Sequence, residues 1–408
     1  MLFHRIQQRE LAIYTYIIGD EHSMTCTVVD PTLDVDPILR VVEHKGYKIE
    51  AIIETHVHLD YISGSKKLKA ALNNKPIIYA STCGGPDWKV AYADKELKNG
   101  DSVSVGNFRF EALHTPGPTP EHLVFKVFHD ENLIGLLTGD LVLSGGIGRP
   151  DLMKGESETL AHELYHSLFY NLKPLPDELP IFPNHGAATL LAKVSKLVQE
   201  SSLGDERYDL FNDTPEQEWV EEVLSQLPAT PLAFDRIKKI NLTGEIPKLS
   251  EKPFTIDTRD PVSFAAGHNK GAVNIPWSPS FLIWTLMMAP FAPLRIIPPV
   301  KAPFDFIKHI LSIVGFDDVI PIDLKQEETL DFLEEPQNYQ LIDVRTPFEV
   351  SEQPFPDTIL MELGEIPEKA KSLNPEQPFM AICAAGTRAM IAASYLKSIG
   401  FKKVAAKK

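Results

Sequence analysis

The sequence predicts an α/β fold in which an N-terminal α/β sandwich is followed by two small parallel α/β domains. Over about the first 200 residues, short apolar runs alternate with turns and a few helical patterns, which is typical of stacked sheets and helices. The last third of the chain repeats itself with an offset of roughly 85 residues, which indicates tandem domains. A chain of 408 residues also exceeds what one core usually supports.

The elements of the sandwich follow from the apolar periodicity. The segments LAIYTYIIGD and MTCTVVDP read as paired strands, ILRVVEHKG as a helix, and KIEAIIET as a buried strand. Further strands are predicted in DSVSVGNFRFEALHT, LVFKVFHD and NLIGLLTGD, and a helix in ETLAHELYHSLFYNL. Helical patterns then lead to a linker near residues 245–252. The predicted domains are residues 1–246, 247–325 and 326–408.

The two repeats share their beginning and their end. Each starts with a strand pattern, FTIDTR or QLIDVR, and closes with a helix followed by GF-x-x-V. Only the second copy contains a cysteine, Cys383, and the counterpart of its loop in the first copy falls near IIPPV. We therefore expect the first copy to be catalytically inactive.

Composition limits the classes of function. A net charge of −16 argues against nucleic-acid or anionic-membrane binding. Three cysteines cannot form a disulfide framework, and the first twenty residues lack a secretory pattern, so we expect a cytoplasmic protein. The apolar stretch 281–294 is too short to span a bilayer and is interrupted by Pro290 and Pro293. It is expected to be buried in the protein or at a subunit contact of a homo-oligomer.

A histidine and aspartate pattern predicts a metal site. His56, His58 and Asp60 alternate after a predicted strand and before a helix expected from about residue 61, so their side chains point to one side. Asp140 ends another apolar run, and His185 stands beside a glycine in IFPNHG. Such residues at strand ends are well placed to enter a cleft.

Cys383 lies between a strand pattern, PFMAIC, and a helix pattern, TRAMIAASYLKSIG. Gly386 allows a tight loop, and its N–H groups together with the helix N-terminus favour a thiolate. Arg388 adds a positive charge able to bind sulfite or thiosulfate. A buried structural cysteine is the alternative interpretation. The pairs Asp343–Arg345 and Asp257–Arg259 are expected to be structural ion pairs.

These motifs resemble known families. The set T-H-x-H-x-D, T-G-D and P-x-H-G resembles the metallo-β-lactamase superfamily, whose fold is an αββα sandwich, and GRPDL at Gly148–Leu152 resembles its persulfide dioxygenase branch. The loop C-A-A-G-T-R matches the C-x-x-G-x-R loop of rhodaneses. The resemblance implies one Fe(II) per chain, oxidation of a thiol persulfide by O2 to sulfite and thiol, and sulfane-sulfur transfer at Cys383 that forms or consumes thiosulfate.

Two positions depart from the family pattern. Tyr61 replaces a histidine of the second metal site, and Pro118 replaces a histidine ligand in LHTPGPTPEH. The remaining candidate ligands are His56, His58 and Asp140. Asp60 and His185 remain as a vestigial second site or as outer-shell residues, and His114 or His122 as a substitute ligand.

Alternative functions remain open at this stage. One is a metal-free protein in which only Cys383 works, as a sulfurtransferase or a sulfur-sensing scaffold. Another is a zinc thioester hydrolase of the glyoxalase II type. The sequence also leaves the thiol carrier open, whether glutathione, coenzyme A or bacillithiol, and the direction of sulfur transfer.

Overall fold

The structure is a computed structural model that describes residues 1–9, 11–153, 155–186, 192–194, 201–210, 214–225, 227–299, 302–335 and 338–408. The chain divides into two compact units. The first comprises Met1–Leu227 and Ile237–Ile246, and the second Pro228–Arg236 and Pro247–Lys408. The second unit contains both repeats, so the predicted boundary between residues 325 and 326 stays a prediction.

The first unit contains two six-stranded sheets and one small sheet. The first sheet has the order β1-β2-β3-β4-β5-β6. Its strands are β1 Leu2–Gln8, β2 Ile13–Asp20, β3 Thr25–Val29, β4 Lys48–Ile53, β5 Ile77–Ser81 and β6 Lys95–Leu97. The strands β1 to β3 pair antiparallel, and β3 to β6 pair parallel.

The second six-stranded sheet has the order β15-β13-β10-β9-β8-β7. Its strands are β7 Ser102–Val105, β8 Phe108–His114, β9 Leu123–His129, β10 Asn132–Gly139, β13 Pro180–Pro183 and β15 Ser201–Ser202. The small sheet joins β11 Val142–Leu143, β12 Gly146–Gly148 and β14 Ala192–Val194.

Helices cover the outer faces of the sheets. They are α1 Asp36–Lys45, α2 Ser65–Ala71, α3 Ser157–His166, α4 Leu203–Leu210, α5 Glu216–Ser225 and α6 Phe234–Thr243, with a π-helical turn at Ser167–Leu172. Ile38 of α1 packs on the first sheet, and Leu164 of α3 and Trp219 of α5 pack on the second. Tyr16 and Phe110 meet in the core between the sheets. The predicted αββα sandwich is confirmed.

The second unit contains two parallel sheets, one for each repeat. The first repeat comprises β16 Phe254–Asp257, α7 Pro261–Ala266, β17 Val273–Asn274, α8 Phe281–Met288, β18 Leu294–Ile297, α9 Phe304–Ile313 and β19 Val319–Pro321, with strand order β17-β16-β18-β19. Its strands all pair parallel. The apolar stretch 281–294, predicted to be buried, begins with α8 and ends at the first residue of β18, and Phe281, Leu286 and Met288 are inside the chain's own core.

The second repeat has the strand order β20-β24-β23-β21-β22, also parallel. Its elements are β20 Asp331–Leu333, β21 Gln340–Asp343, α10 Pro347–Glu352, β22 Thr358–Leu360, α11 Ile366–Lys369, β23 Phe379–Ile382, α12 Thr387–Ser398 and β24 Val404–Lys407. The repeats contact each other where the Ser394 hydroxyl accepts the Asn274 N–H, 2.9 Å away. No helix in the described parts of the chain has the length and apolarity to cross a membrane.

Candidate functional site

The histidine motif lies on a buried loop that follows β4. Asp30, the residue after β3, holds this loop through two hydrogen bonds from Thr55, one from its N–H and one from its hydroxyl, both 2.8 Å long. The helix predicted from about residue 61 begins four residues later, at Ser65. The intervening residues are buried, and their polar groups bond to other parts of the unit; Asn241 of α6, for example, donates to the carbonyls of His58 and Tyr61.

Four of the predicted residues form one chain of contacts. His56 Nε2 lies 3.4 Å from Asp140 Oδ2, and Asp140 Oδ1 lies 2.6 Å from His185 Nδ1. The other nitrogen of His185, Nε2, lies 2.9 Å from Asp60 Oδ2. All four side chains are buried. His185 therefore links the two aspartates that come from different strand ends.

His58 is oriented by two carboxylates that the sequence did not single out. Its Nε2 lies 3.0 Å from Glu54 Oε2 and 3.4 Å from Asp30 Oδ1. Its Nδ1 has no hydrogen-bond partner among the described residues, although it is buried. The ring of His58 contacts the ring of His56, with centroids 4.4 Å apart. Carboxylates that fix one ring nitrogen in this way leave the other free to bind a metal.

Asp30, Glu54 and His58 are also the one group of three in the described part of the chain whose possible metal-ligand atoms all lie within 4.8 Å of one another. Both carboxylates already accept other hydrogen bonds, Glu54 from the hydroxyls of Ser63 and Ser65, and Asp30 from Thr55. Their contacts therefore fit a role in orienting His58 and the loop.

Protons on His185 and His58 balance the negative charges of the carboxylates beside them. Burial disfavours the charged imidazole of His185, but Asp140 and Asp60 outweigh it and raise its pKa to about 10. Burial likewise opposes a charge on His58, and hydrogen bonds with Asp30 and Glu54 raise its pKa to about 10. The pKa of Asp140 is held well below its usual value because His185 and His56 outweigh its burial. A bound cation must displace such protons.

The two departures from the family pattern have structural counterparts. The Tyr61 ring stacks on His58 with centroids 4.3 Å apart, and its hydroxyl accepts a hydrogen bond from Asn184 Nδ2, 3.2 Å away. Pro118 lines a small cavity with His56, Asp140 and Arg149. The side chain at position 118 is thus beside two candidate ligands but offers them no donor atom.

His122 and His114, the possible substitute ligands, have other contacts. His122 Nε2 accepts the Asp140 N–H at 3.0 Å, and its Nδ1 lies 3.0 Å from the Thr115 hydroxyl. Burial first, and His56 second, lower the pKa of His122 well below its usual value. His122 is therefore a neutral ring with hydrogen bonds at both nitrogens, and it holds Asp140 in position. His114 Nε2 lies 2.8 Å from the Pro120 carbonyl oxygen, and its side chain lines a different groove, together with His162 and His166.

The residues present fit a metal ion. Three buried atoms of ligand type lack partners among the described residues: His58 Nδ1, Asp60 Oδ1 and Oε2 of Glu121, whose other oxygen accepts the Val57 N–H. Buried polar atoms are normally bonded, so such orphans indicate a missing group. His56, His58 and Asp140 supply two imidazoles and one carboxylate, which is the ligand set of mononuclear non-haem iron sites. Their assignment as ligands stays a prediction.

Cys383 lies at the turn from β23 to α12, as predicted. Its Sγ accepts the Ala389 N–H at 3.3 Å, and the side chain is buried. The expected ion pairs form, with Arg345 Nη2 2.6 Å from Asp343 and Arg259 Nη2 2.6 Å from Asp257. In the first repeat, β18 occupies the place that β23 has in the second, which agrees with the loop counterpart predicted near IIPPV.

Arg388 forms a bidentate ion pair with Glu349, which the sequence did not single out. The nitrogens Nη1 and Nη2 donate to Oε2 and Oε1 over 2.7 and 2.6 Å. Glu349 also bonds the N–H of Thr346 at the start of α10, so its position is fixed. Arg388 is thereby held by α10, in the same loop as the sulfur.

The hydrogen bond from Arg388, the main cause, lowers the pKa of Glu349 to about 2 from its usual 4.5. The stability contributed by this ionised carboxylate is present above about pH 4.5 and is lost as the pH falls towards 2. The variant E349Q cannot titrate, so the difference in Tm between wild type and E349Q should shrink between pH 5 and pH 3. Thermal unfolding at both pH values measures this difference in Tm. A difference that is the same at pH 5 and pH 3 would contradict the pairing of Glu349 with Arg388. The control is E352Q, on the exposed side of the same helix.

Gly386 has φ +77°, in the left-handed region. A Cβ there would lie 2.9 Å from the Phe332 ring and 3.2 Å from the Lys407 carbonyl oxygen. We expect G386A to lower the free energy of unfolding by about 1–3 kcal/mol. Gly400, φ +108° with open space around its Cβ position, is the matched control, because G400A adds backbone strain without a clash. If G386A and G400A lowered the Tm equally, the contacts of a Cβ at position 386 with Phe332 and Lys407 would be unimportant.

Comparison with known proteins covers both units. Residues 9–197 match the family model of the metallo-β-lactamase superfamily, and residues 326–406 match that of the rhodanese-like domain. The mitochondrial persulfide dioxygenase ETHE1 of Bos taurus is 31% identical over 186 residues, which cover 45% of this chain and 68% of that protein. The human counterpart is 31% identical over 42% of this chain and 63% of its own length.

Solved structures agree with this similarity. The crystal structure of a metallo-β-lactamase from Staphylococcus aureus matches with a TM-score of 0.70 and 28% identity, over 79% of this chain and 97% of that one. The crystal structure of ETHE1 from Myxococcus xanthus matches with a TM-score of 0.51 and 27% identity, over 60% of this chain and 99% of that one.

Proposed function

This chain belongs to the persulfide dioxygenase family of the metallo-β-lactamase superfamily and carries a rhodanese-like domain, and on this basis we propose that it couples persulfide oxidation to sulfane-sulfur transfer. In the first unit, a low-molecular-weight thiol persulfide, O2 and water give the free thiol, sulfite and two protons. In the second unit, the Cys383 thiolate takes the outer sulfur of thiosulfate and releases sulfite, or the reverse. Sulfite is therefore common to both reactions.

The proposed cofactor is one iron ion, held by His56, His58 and Asp140. When bound, ferrous iron supplies a redox-active centre with open positions for O2 and the persulfide. The observation that carries this proposal is the buried Nδ1 of His58, which has no partner in the described parts of the chain and whose ring is fixed at Nε2 by Glu54 and Asp30. A nitrogen lone pair oriented beside His56 is what a metal ligand requires.

The other residues of the site have positioning roles in this proposal. His122 donates no proton to Asp140 but accepts its backbone N–H, which fixes the start of the segment that carries the carboxylate. His185 hydrogen-bonds the second oxygen of Asp140 and thereby sets its orientation. Arg149, buried on the wall of the small cavity and paired with Asp151, places a positive charge where an anionic persulfide sulfur would approach.

At Cys383 the proposed chemistry needs a thiolate and a cationic partner. The Ala389 N–H points at the sulfur from the first turn of α12, where the helix dipole favours negative charge. Glu349 fixes Arg388 through two of its five N–H groups, and the remaining N–H groups can donate to an incoming sulfur oxyanion. Transfer then forms a sulfur–sulfur bond at Sγ and breaks the one in thiosulfate, with sulfite as leaving group.

Metal content and oxygen uptake test the proposal together. Protein purified anaerobically is analysed by elemental mass spectrometry, and O2 consumption and sulfite release are then measured with persulfides of glutathione, coenzyme A and bacillithiol. About one iron per chain with persulfide-dependent O2 uptake supports it. Two zinc ions and thioester hydrolysis, or no metal and no O2 uptake, would overturn the dioxygenase part and leave Cys383 as the working site.

Pro118 offers a gain-of-function prediction. Because position 118 lines the cavity beside His56 and Asp140, P118H should add a nitrogen ligand and raise iron affinity by about tenfold or more. Competition with a chelator measures the affinity, and P86H, at an exposed proline of the first unit, is the control. Iron affinity unchanged in P118H would place the metal away from this cavity wall.

A further inference from the structure

A second cluster of metal-ligating side chains lies outside this site, on the outer helices of the first unit. His162 and His166 are one turn apart on α3, so both imidazoles are on one face of the helix. Glu216, the first residue of α5, reaches both. Its Oε1 lies 2.7 Å from His162 Nδ1 and 3.0 Å from His166 Nε2.

We propose that His162, His166 and Glu216 bind a divalent cation of the zinc type, which joins α3 to α5. Two histidines four residues apart on a helix, completed by a carboxylate from another element, form a recurring zinc ligand set. Zinc–ligand bonds of about 2.0–2.2 Å separate the ligands of a tetrahedral site by about 3.4 Å. The two histidine–glutamate distances are already close to that spacing.

The third distance of the site, between His162 Nδ1 and His166 Nε2, must shorten when the metal binds. The two nitrogen atoms are more than 4.8 Å apart, because this trio does not meet the 4.8 Å spacing that Asp30, Glu54 and His58 meet, and at most 5.7 Å apart, the sum of their 2.7 and 3.0 Å distances to Glu216 Oε1. The side chains of His162 and His166 are 35% and 58% exposed, so they can rotate towards each other at little cost. A fourth position opens onto the groove lined by His114, Glu163 and Tyr170, where water or a small anion has room.

The alternative is that the cluster only pairs two protonated histidines with Glu216. Such a pairing stabilises the α3–α5 contact but takes up no metal. Zinc uptake therefore separates the two roles. The site is on α3 and α5, whereas the candidate iron ligands follow β4 and β10, so its occupancy does not depend on the function proposed above.

The test is metal uptake by the full-length protein. Wild type, the double variant H162A/H166A and E216Q are stripped with a chelator, dialysed against Zn2+ and analysed by elemental mass spectrometry. We expect wild type to retain one more zinc per chain than H162A/H166A, and E216Q to bind that zinc at least tenfold more weakly. H129A is the control, because His129 is partly exposed beside Asp130 but has no second histidine one turn away.

Two further measurements show whether a loss of zinc comes from the missing ligands or from misfolding of the variant. Circular dichroism verifies that the variants keep the wild-type fold. Co2+ titration gives visible absorption for each nitrogen and oxygen site, and the candidate site of His56, His58 and Asp140 is present in every variant. Wild type and H129A should therefore show a band of tetrahedral Co2+ in the difference spectrum against H162A/H166A. A folded H162A/H166A that retains as much zinc as wild type, or a difference spectrum without this Co2+ band, would overturn the proposal.

Discussion

The variant D140N is expected to lose its metal and at least about a hundredfold of its persulfide-dependent O2 consumption. Asp140 contacts both His56 and His185, and its pKa is held well below the usual range, so the carboxylate is ionised at neutral pH. Asparagine keeps the shape of the side chain but removes the charge that a cation needs. The loss should therefore appear in kcat and metal content, with little change in fold.

The control for D140N is D130N, which makes the same chemical change on the exposed β9–β10 turn, where φ +48° suits asparagine. D130N should keep wild-type iron and O2 uptake. Sulfur transfer from thiosulfate at Cys383 should be unchanged in both variants, because the residues of that loop belong to the second unit. If D140N retains iron and turnover, the proposed ligand set is incorrect.

The candidate metal residues were predictable because their signal is local. His56, His58 and Asp60 alternate within five positions, and Asp140 follows one apolar strand, so pattern alone brings them to strand ends. Asp30 gave no such signal, since it reaches His58 only through the parallel pairing of β3 and β4. Glu54 is four residues before His58, but one acidic residue directly after a strand does not stand out in the sequence. The spacing of a single motif does not contain the sheet register that brings Asp30 to the site.

Two other differences between the sequence prediction and the structure also come from contacts between distant parts of the chain. The helix expected from about residue 61 begins at Ser65 because the preceding segment bonds to Asn241 of α6, a partner about 180 positions away in the chain. Glu349 was missed because it reads as an ordinary residue in the first turn of a helix, where acidic side chains are favoured. Its pairing with Arg388 requires α10 and α12 to meet at one end of the sheet.

The self-repeat was the strongest fold signal in the sequence, since it predicts two small parallel α/β domains built in the same way. The parallel order β17-β16-β18-β19 corresponds to β22-β21-β23-β24 of the second repeat, with β20 added at one edge. The added strand, Asp331–Leu333, is too short to stand out from its polar surroundings. Only three residues pair with β24, so the sequence carries little information about it.

The variant C383S should abolish sulfane-sulfur transfer to below detection, because a serine hydroxyl cannot form the persulfide that carries the sulfur. Cys383 Sγ faces the Ala389 N–H at the start of α12, and Arg388 of the same loop is fixed by Glu349, so the substitution removes the nucleophile and leaves the loop intact. Thiosulfate-to-cyanide transfer measures the loss, and mass spectrometry of protein incubated with thiosulfate should show the 32 Da sulfur adduct, the approximate mass of one sulfur atom, in wild type only.

The control for C383S is C83S, since Cys83 is a free, partly buried cysteine in the first unit. C83S should transfer sulfur and consume O2 like wild type. C383S should retain iron and persulfide-dependent O2 uptake, because its change is confined to the second unit, and it should release sulfite without forming thiosulfate. If C383S still transferred sulfur while C83S did not, the active thiol would be Cys83, and the rhodanese-like loop would have only a structural role. Loss of O2 uptake in C383S would instead show that the two reactions depend on one another through the shared sulfur intermediate.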